Sequence, residues 1–292
     1  MKLLLVGSQG QVGQELAQTL PCLGNVVALS REHLDLSQPD QIAAAVDSHQ
    51  PDIVINAAAY TAVDKAESDA TLAHQINALA PGLLAQAAAD CGAAILHIST
   101  DYVFDGRQSY PYQETDATSP LGVYGQTKLA GEQAVQAANP RSLILRTAWV
   151  YGAKGARNFV KTMLKVGLEQ RSVRVVFDQV GTPTWAYDIA DSITALLPQM
   201  VDNDSYGIVH FTNSGVASWY DFATAIYEEA QAQDLLNTPP TVVPIATAEY
   251  PLPALRPAYS VLSPLKVSAL LNRPIPHWRS SLRKMLRELA RG

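Results

Sequence analysis

A tyrosine and a lysine four residues apart, Tyr124 and Lys128, are the residues of this sequence best suited to proton chemistry. In a helix that began near Tyr124, they would lie on one face, one turn apart. A nearby positive charge would lower the phenol pKa from its usual value of about 10. Tyr124 could then protonate an oxygen that becomes an alkoxide when hydride reaches its carbon. The spacing alone also fits an exposed helix start with a solvated lysine.

A glycine-rich turn follows the first apolar run of the chain. Residues 2–6 read as a buried parallel strand, and Gly7, Gly10 and Gly13 come directly after it. Glycine permits a tight turn, close approach of a pyrophosphate, and close packing of the next helix, whose free amides face the phosphates. The position between strand and helix favours a dinucleotide site over a plain glycine-rich turn.

The end of the second strand, residues 25–29, bears on the choice of cofactor. Ser30 and Arg31 stand where an acid would bind the ribose 2′-hydroxyl, and a hydroxyl with a guanidinium suits a 2′-phosphate. NADPH is therefore expected, with NADH and a merely solvated Arg31 as alternatives. Asp35 and Leu36 would lie beside the adenine, although Asp35 could equally cap a turn.

Polar residues also follow the next two predicted strands, 52–55 and 94–98. Small residues in the block 56–67 suit the floor of a nucleotide site. Thr100 follows the fourth strand, where its hydroxyl could donate to a substrate carbonyl, and Asp101 is adjacent. Within the helical stretch between these strands, Asn77 is interpreted as a brace for the loops at the strand ends.

The order of elements predicts an α/β fold: a Rossmann-type doubly wound parallel sheet with a smaller C-terminal α/β substrate-binding domain. Residues 1–150 would form the NAD(P)-binding domain, to which about 180–215 return, and residues 151–292 would mainly form the substrate-binding domain. Residues 206–212 read as a strand, and Ser218 is expected to cap a helix to 231. The proline-rich stretch 238–264 cannot be regular helix.

Composition narrows the class of protein. The chain has 292 residues, 48% hydrophobic and 16% charged, with a net charge of −6. Such a charge gives no global attraction to nucleic acid or to anionic membranes, and no apolar run is long enough to span a bilayer. Two isolated cysteines support neither a disulfide framework nor a metal cluster. We therefore expect a cytoplasmic protein with no nucleic-acid or membrane partner.

Seven motifs together resemble the extended short-chain dehydrogenases and, among them, the dTDP-4-dehydrorhamnose reductases. They cover nearly the whole chain: 7–13, 56–67, 99–106, 124–132, 146–152, 181–184 and 256–258. The blocks 56–67 and 99–106 are the most specific and differ from those of sugar epimerases. The resemblance implies NADPH-dependent reduction of the 4-keto group of dTDP-4-dehydro-L-rhamnose to dTDP-L-rhamnose.

The resemblance also implies roles for individual residues. Tyr124 would be the catalytic acid, Lys128 would hold the nicotinamide ribose and tune Tyr124, and Thr100 with Asp101 would contact the sugar. Trp149 would pack on the substrate. The residues expected to line the cofactor are Gly7, Gly10, Gln11, Val12, Gly13, Ser30, Arg31, Asp35, Leu36, Ala59, Tyr60 and Thr61, together with Tyr124 and Lys128. Arg256 is a candidate for the substrate diphosphate because a guanidinium matches two oxygens, with a surface ion pair as the alternative.

Some members of this family are metal-bridged dimers that use three glutamates. Here Glu15 is in place, Tyr187 stands at the second position, and the chain ends Arg291-Gly292. Mg²⁺ is possible by resemblance, but a full carboxylate site is not expected. A monomer or a homodimer without metal is expected. The other functions left open are a related sugar-nucleotide 4-keto reductase or epimerase, and a non-catalytic regulatory subunit similar to that of methionine adenosyltransferase.

Overall fold

The computed structural model of the chain describes residues 1–202 and 206–291. Its centre is a six-stranded, wholly parallel sheet in the order β10-β5-β4-β3-β1-β2. The strands of this sheet are β1 (Lys2–Val6), β2 (Asn25–Leu29), β3 (Ile53–Asn56), β4 (Ala94–Thr100), β5 (Ser142–Thr147) and β10 (Gly207–His210). The strand order reverses between β1 and β3, and ligands of such sheets bind at the carboxyl ends of the strands on either side of that point.

Helices cover both faces of the sheet, which confirms the predicted doubly wound Rossmann-type arrangement. The helices are α1 (Gln11–Thr19), α2 (Ile42–His49), α3 (Val63–Ala66), α4 (Ala70–His74), α5 (Ala80–Asp90), α6 (Val123–Ala138), α7 (Phe159–Glu169), α8 (Ala186–Asp202), α9 (Trp219–Gln231), α10 (Leu265–Leu271) and α11 (Trp278–Leu289). None of the helices in the described part of the chain is long and apolar enough to cross a bilayer.

Alternation along β1 shows how the sequence specifies the two layers. Leu3 and Leu5 face one hydrophobic cluster, formed with α1 and α8, whereas Leu4 and Val6 face the other, formed with α2 and α5. Successive side chains of a strand point to opposite faces, so a strand covered on both sides must be apolar throughout. This is why the short first run could be predicted as a parallel strand.

A separate hydrophobic cluster lies in the second half of the chain, where α7, α9 and α11 pack together. The remaining strands pair two by two: β6 (Val150–Tyr151) with β9 (Thr184–Trp185), β7 (Ser172–Val176) with β12 (Thr241–Ile245), and β8 (Val180–Gly181) with β11 (Ala217–Ser218). The division of the chain into two domains stays a prediction.

The second half also shows where sequence reasoning succeeded and where it did not. Ser218 caps α9 as predicted, accepting from the Asp221 amide at 3.0 Å, while Asp221 accepts from the Ser218 amide. The predicted strand 206–212 is shorter, since only Gly207–His210 pairs with β5. Within the proline-rich stretch, Thr241–Ile245 forms a strand parallel to β7 that the sequence did not predict.

Candidate active site

A cavity of about 610 Å³ opens where β1, β3, β4 and β5 end, and it brings together most of the residues predicted from the sequence. The predicted residues that line it are Gly7, Gly10, Gln11, Val12, Arg31, Asp35, Leu36, Ala59, Thr61, Thr100, Asp101, Tyr124, Lys128 and Trp149. The glycine-rich turn and the Tyr124–Lys128 pair therefore share one continuous space.

Four predicted residues lie outside the cavity lining. Gly13 packs against the turn itself, and Ser30 is buried with its hydroxyl 2.8 Å from His33 Nδ1. The Tyr60 hydroxyl donates to Asp69 at 3.1 Å. Arg256 forms a two-fold ion pair with Asp64, at 3.0 and 2.8 Å, so the alternative of an ion pair describes its observed contacts.

The glycine-rich turn is built from close backbone contacts. Gly7 has φ of +84°, and a Cβ there would lie 2.6 Å from the Ala58 amide nitrogen. A Cβ on Gly13 would lie 2.1 Å from the Gly7 carbonyl oxygen. At Gly10, which precedes α1, the nearest atom to an added Cβ is 3.4 Å away, so this position stays open on the cavity side. The turn thus holds the amides at the start of α1 against the cavity.

Tyr124 lies in the first turn of α6, whose start is held by a long-range contact. The Val123 amide donates to Glu67 Oε1 at 2.9 Å, which satisfies an amide that has no partner within the helix. Gly125 lets α6 approach the Tyr102 carbonyl, because a Cβ there would lie 2.2 Å from that oxygen. The Tyr102 ring meets the Tyr124 ring edge-on at 5.4 Å. These contacts fix the position of the phenol.

The pKa of Tyr124 differs from the expectation. Burial raises the pKa to about 12, a hydrogen bond with Thr100 acts in the opposite direction, and the charge of Asp101 raises it further. The net shift is therefore upward, opposite to the lowering expected from Lys128, because desolvation is its largest cause. Tyr124 therefore keeps its proton at neutral pH and is available as a donor.

Thr100 and Asp101 lie at the end of β4, where a 3₁₀ turn (Asp101–Val103) begins. The Thr100 hydroxyl donates to Asp101 Oδ1 at 3.0 Å and accepts from the Tyr102 amide at 3.2 Å. Asp101 is only 1% exposed, and its hydrogen-bonding neighbours are Ser260 and Thr100. Burial raises the pKa of Asp101 to about 6, against the opposing effect of its hydrogen bonds.

Lys128 is buried at the inner end of the cavity. Its Nζ donates to the Ile98 carbonyl at 2.7 Å and lies 3.2 Å from His97 Nε2. Burial lowers the pKa of Lys128 to about 8, and the charge of Glu132 opposes this shift. His97 was not among the predicted site residues, since a lone histidine within an apolar strand carries no local signal of function.

A buried ion pair lies behind Lys128 and was also missed. Arg146 on β5 contacts Glu132 on α6 through two of its nitrogens, at 2.9 and 2.7 Å, and neither side chain is more than 3% exposed. The Ser99 hydroxyl donates to the same carboxylate at 2.5 Å. The only local signal was the placement of Glu132 one helical turn after Lys128, on the same face.

Asn77 holds the loop after β3, as predicted. Its side chain accepts from the Tyr60 amide at 2.8 Å and donates to the Tyr60 carbonyl at 3.1 Å. Asn77 lies in a π-helical segment, Gln75–Leu79, between α4 and α5. Gly131 of α6 packs on this segment, where a Cβ would lie 2.0 Å from the Asn77 carbonyl oxygen. The brace therefore links the β3 loop to the helix that carries Tyr124.

Two arginines line the cavity, Arg31 and Arg157. The Arg31 side chain is 74% exposed, and its Nε lies 3.2 Å from Asp35, whose pKa is lowered chiefly by a hydrogen bond from the Ser37 amide. Arg157 was not predicted; it lies in the loop after β6, next to Gly155, which packs on Gln11. No motif in the sequence around Arg157 indicates that it lines the cavity.

Trp149 lines the cavity, with its backbone in the left-handed region at φ of +48°. Its ring stacks on that of Trp219, with centroids 3.6 Å apart and planes 6° apart. Gly181 leaves room for the indole, because a Cβ there would lie 2.5 Å from the Trp149 ring. The stack fixes one wall of the cavity.

Glu15, which matches one of the family's metal-site glutamates, forms an ion pair. Glu15 is 1% exposed, and Lys154 Nζ lies 2.6 Å from its Oε2. In residues 1–202 and 206–291, no three His, Cys, Asp or Glu side chains are grouped so as to hold a metal ion. Tyr187, at the second family position, is 41% exposed and packs on Trp185.

Comparison with known proteins gives a consistent result over the whole chain. A family model described as the RmlD substrate binding domain matches residues 1–291. The chain is 44% identical to the dTDP-4-dehydrorhamnose reductase of Burkholderia thailandensis over 99% of both chains. A solved dTDP-4-dehydrorhamnose reductase from Clostridium acetobutylicum superposes with a TM-score of 0.92 and 40% identity, covering 99% of each chain.

A second solved structure bears on the cofactor. The dTDP-4-dehydrorhamnose reductase of Bacillus anthracis in complex with NADP is 34% identical and superposes with a TM-score of 0.90, covering 98% of this chain and 99% of that one. The predicted resemblance and the predicted fold are both confirmed by these matches. The chain belongs to the dTDP-4-dehydrorhamnose reductase family.

Proposed function

We propose that this protein reduces the 4-keto group of dTDP-4-dehydro-L-rhamnose to dTDP-L-rhamnose with NADPH. The observation that carries the proposal is the presence of Tyr124, Thr100 and Lys128 in the same cavity as the glycine-rich turn. A carbonyl bound there would have a proton donor, a neutral hydroxyl donor and a cation within one enclosed space. The family relationship supports the reaction type.

The cavity suits a dinucleotide at its outer end. Gly7 and Gly10 leave the backbone free of side chains, and the start of α1 presents amides suited to a pyrophosphate. Asp35 and Arg31 lie where the adenosine would bind, and the exposed guanidinium of Arg31 suits a 2′-phosphate. Arg157, which also lines the cavity, provides a further cation. When bound, the reduced nicotinamide supplies the hydride.

Tyr124 is assigned the proton donation. Because burial raises its pKa, the phenol keeps its proton at neutral pH. It can give that proton to the substrate oxygen, which becomes negatively charged when hydride reaches the carbonyl carbon. We expect the Thr100 hydroxyl to turn its proton from Asp101 to the same oxygen when substrate binds, and so to stabilise the charge on it. We assign Lys128 to the ribose and to the electrostatic support of Tyr124 once a proton has left it.

The sugar is assigned to the inner wall. Trp149 offers a flat apolar surface fixed by its stack on Trp219, and Asp101 offers a buried carboxyl. Arg256 is held by Asp64 outside the cavity lining, so its contact with the substrate diphosphate stays a prediction. Such a contact would add a second acceptor to a guanidinium that is already oriented.

The decisive test is oxidation of NADPH by the purified protein in the presence of dTDP-4-dehydro-L-rhamnose, with NMR identification of the product. We expect dTDP-L-rhamnose and a lower kcat/KM with NADH. A 4-keto-6-deoxy sugar nucleotide of opposite configuration at C5 serves as the competing substrate. A higher kcat/KM for that competitor would favour another reductase, tightly retained NAD would favour an epimerase, and inactivity with every substrate would favour a regulatory subunit.

We further propose that the protein works in the cytoplasm as a monomer or as a homodimer that needs no metal. The support is the Glu15–Lys154 ion pair, because the ammonium already neutralises the buried carboxylate. Activity and molar mass in solution should therefore be unchanged by EDTA. A loss of either that Mg²⁺ restores would contradict this proposal.

A further inference from the structure

A chain of three buried side chains runs behind the cavity. Asn56 Nδ2 lies 3.0 Å from His97 Nδ1, and His97 Nε2 lies 3.2 Å from Lys128 Nζ. Asn56 and His97 are fully buried, and Lys128 is 1% exposed. Asn56 ends β3 and His97 is its neighbour on β4 in the sheet register. Both therefore belong to the rigid centre of the protein.

The orientation of Asn56 decides where His97 carries its proton. The Ala58 amide donates to Asn56 Oδ1 at 3.1 Å, so the NH₂ group of Asn56 must face His97. An amide NH₂ can only donate, which makes His97 Nδ1 an acceptor. Burial, followed by the charge of Lys128, lowers the pKa of His97 well below its usual value, so the ring is neutral. Its single proton then lies on Nε2.

The Nε2–H group of His97 points at Lys128, and this contact discriminates between the two forms of the lysine. An ammonium has three donors and no lone pair, so it places a donor against a donor. A neutral amine can accept from His97 while it donates to the Ile98 carbonyl at 2.7 Å. The contacts with His97 and the Ile98 carbonyl therefore favour the amine form of Lys128. An ammonium would find better hydrogen-bond acceptors on the side of Nζ that faces the cavity.

We propose that His97, oriented by Asn56, is a positioning residue that keeps Lys128 ready to release its proton towards the cavity. This inference rests on the proposed reductase function. When Tyr124 gives its proton to the substrate oxygen, the ammonium of Lys128 restores it, and the amine that remains accepts the hydrogen bond of His97. His97 keeps its own proton throughout, and solvent recharges the amine.

Other charges around Lys128 do not cancel the effect of the His97 Nε2–H group on its ammonium form. Glu132 lies one helical turn further along α6 and favours the ammonium, but its carboxylate is engaged by Arg146 and Ser99. Tyr124 lies one turn earlier on the same helix and is neutral at physiological pH because burial raises its pKa. The charge of Asp101, which follows β4, raises the pKa of Tyr124. From β4 itself, His97 faces Lys128.

Asn56→Asp tests the chain with little change of shape. The carboxylate still accepts from the Ala58 amide, but its second oxygen accepts from His97, which must move its proton to Nδ1. The Nε2 lone pair then accepts from the ammonium of Lys128. We expect ¹⁵N NMR of the substrate-free protein to show an Nε2–H tautomer of His97 in the unmodified chain and an Nδ1–H tautomer in the variant.

The titration of Lys128 gives the second readout, followed by NMR of labelled lysine and by the basic limb of kcat/KM against pH. Both should move upward by about one pH unit or more in Asn56→Asp. The double variant Asn56→Asp/His97→Leu carries the added negative charge but lacks the imidazole. Its shift of the Lys128 titration should be less than half of the shift in Asn56→Asp alone. His97→Gln, whose oxygen can accept from the ammonium, should also move it upward.

Two results would overturn the inference: an Nδ1–H tautomer in the unmodified protein, or an unchanged Lys128 titration in both Asn56→Asp and His97→Gln. Should Asn56→Asp not fold, the tautomer of the unmodified protein and the His97→Gln titration still decide. Both NMR readouts need no substrate, so they can fail while the reductase assay succeeds, or succeed while that assay fails. The two proposals are thereby separable.

Discussion

The two ends of the cavity are built on different physical principles. The end proposed for the nucleotide, called the nucleotide end below, is built around the glycine-rich turn, and the Arg31 side chain there is 74% exposed. The catalytic end consists of charged and polar side chains that are almost fully buried, such as Lys128 and Asp101 at 1% exposure. Desolvation shifts pKa values strongly only at the buried end. The nucleotide end should therefore govern cofactor choice, and the catalytic end should govern rate, pH dependence and stability.

The largest expected effect is on rate at the catalytic end. Tyr124→Phe keeps the ring that packs on Tyr102 and removes the proton, so kcat should fall by about 10²–10⁴-fold. NADPH affinity, measured by fluorescence titration, should stay within about two-fold because the nucleotide end is untouched. A near-normal kcat would identify another group as the acid, with Asp101 the first to test.

The next effect is on stability. Glu132→Gln leaves the Arg146 guanidinium buried without a counter-charge, which should lower the free energy of unfolding by about 3–5 kcal/mol. The exposed pair Lys165–Glu169, 4.0 Å apart, provides the matched control, and Glu169→Gln should cost less than about 0.5 kcal/mol. Urea unfolding of both variants measures the difference. Equal losses would remove the distinction between buried and exposed charge.

A pH effect should accompany the buried carboxyl. Because the pKa of Asp101 is about 6 in the folded state and about 3.9 unfolded, proton binding stabilises the fold below pH 4, and this contribution disappears as pH rises through 6. Asp101→Asn has no carboxyl to titrate and does not lose this contribution. Between pH 4 and 7, the difference in free energy of unfolding between the variant and the unmodified protein should therefore shift in favour of the variant by roughly 3 kcal/mol. Urea unfolding across that range measures it, and parallel pH profiles would contradict the assigned burial effect.

The smallest effect belongs to the nucleotide end. Arg31→Asp should reduce the ratio of kcat/KM for NADPH over NADH by about five-fold, since an exposed charge contact contributes up to about 1 kcal/mol. The ratio should also fall with added salt in the unmodified protein. Arg171→Asp makes the same charge change on an exposed residue away from the cavity and should leave the ratio unchanged. Equal use of both cofactors by the unmodified protein would refute the role of Arg31.

Sequence reasoning worked best where a residue acts through its immediate neighbours. The strand boundaries of the first half, the glycine-rich turn and the Ser218 cap all depend on local patterns, and each agreed with the structure to within two residues. It failed where contacts join distant residues. Nothing in the sequence pairs Glu132 with Ser99 or Glu67 with Val123, which lie 33 and 56 residues apart.

The same limit explains the error over Tyr124. The spacing correctly predicted that Lys128 lies one turn from the phenol, and helix α6 begins at Val123 as required. The depth of burial could not be read from that spacing, because it depends on β4, the 3₁₀ turn and the loop that Glu67 anchors. Desolvation therefore reversed the predicted direction of the pKa shift.

The stacked pair of Trp149 and Trp219 gives the molecule a built-in optical signal. Two indoles 3.6 Å apart and nearly parallel are close enough to couple electronically, so their near-ultraviolet dichroism reports on the geometry of the stack. One face of the pair borders the cavity, and two of the four tryptophans in the chain belong to it. If the sugar packs on Trp149 as proposed, its binding should change this dichroism, even in variants that no longer turn over.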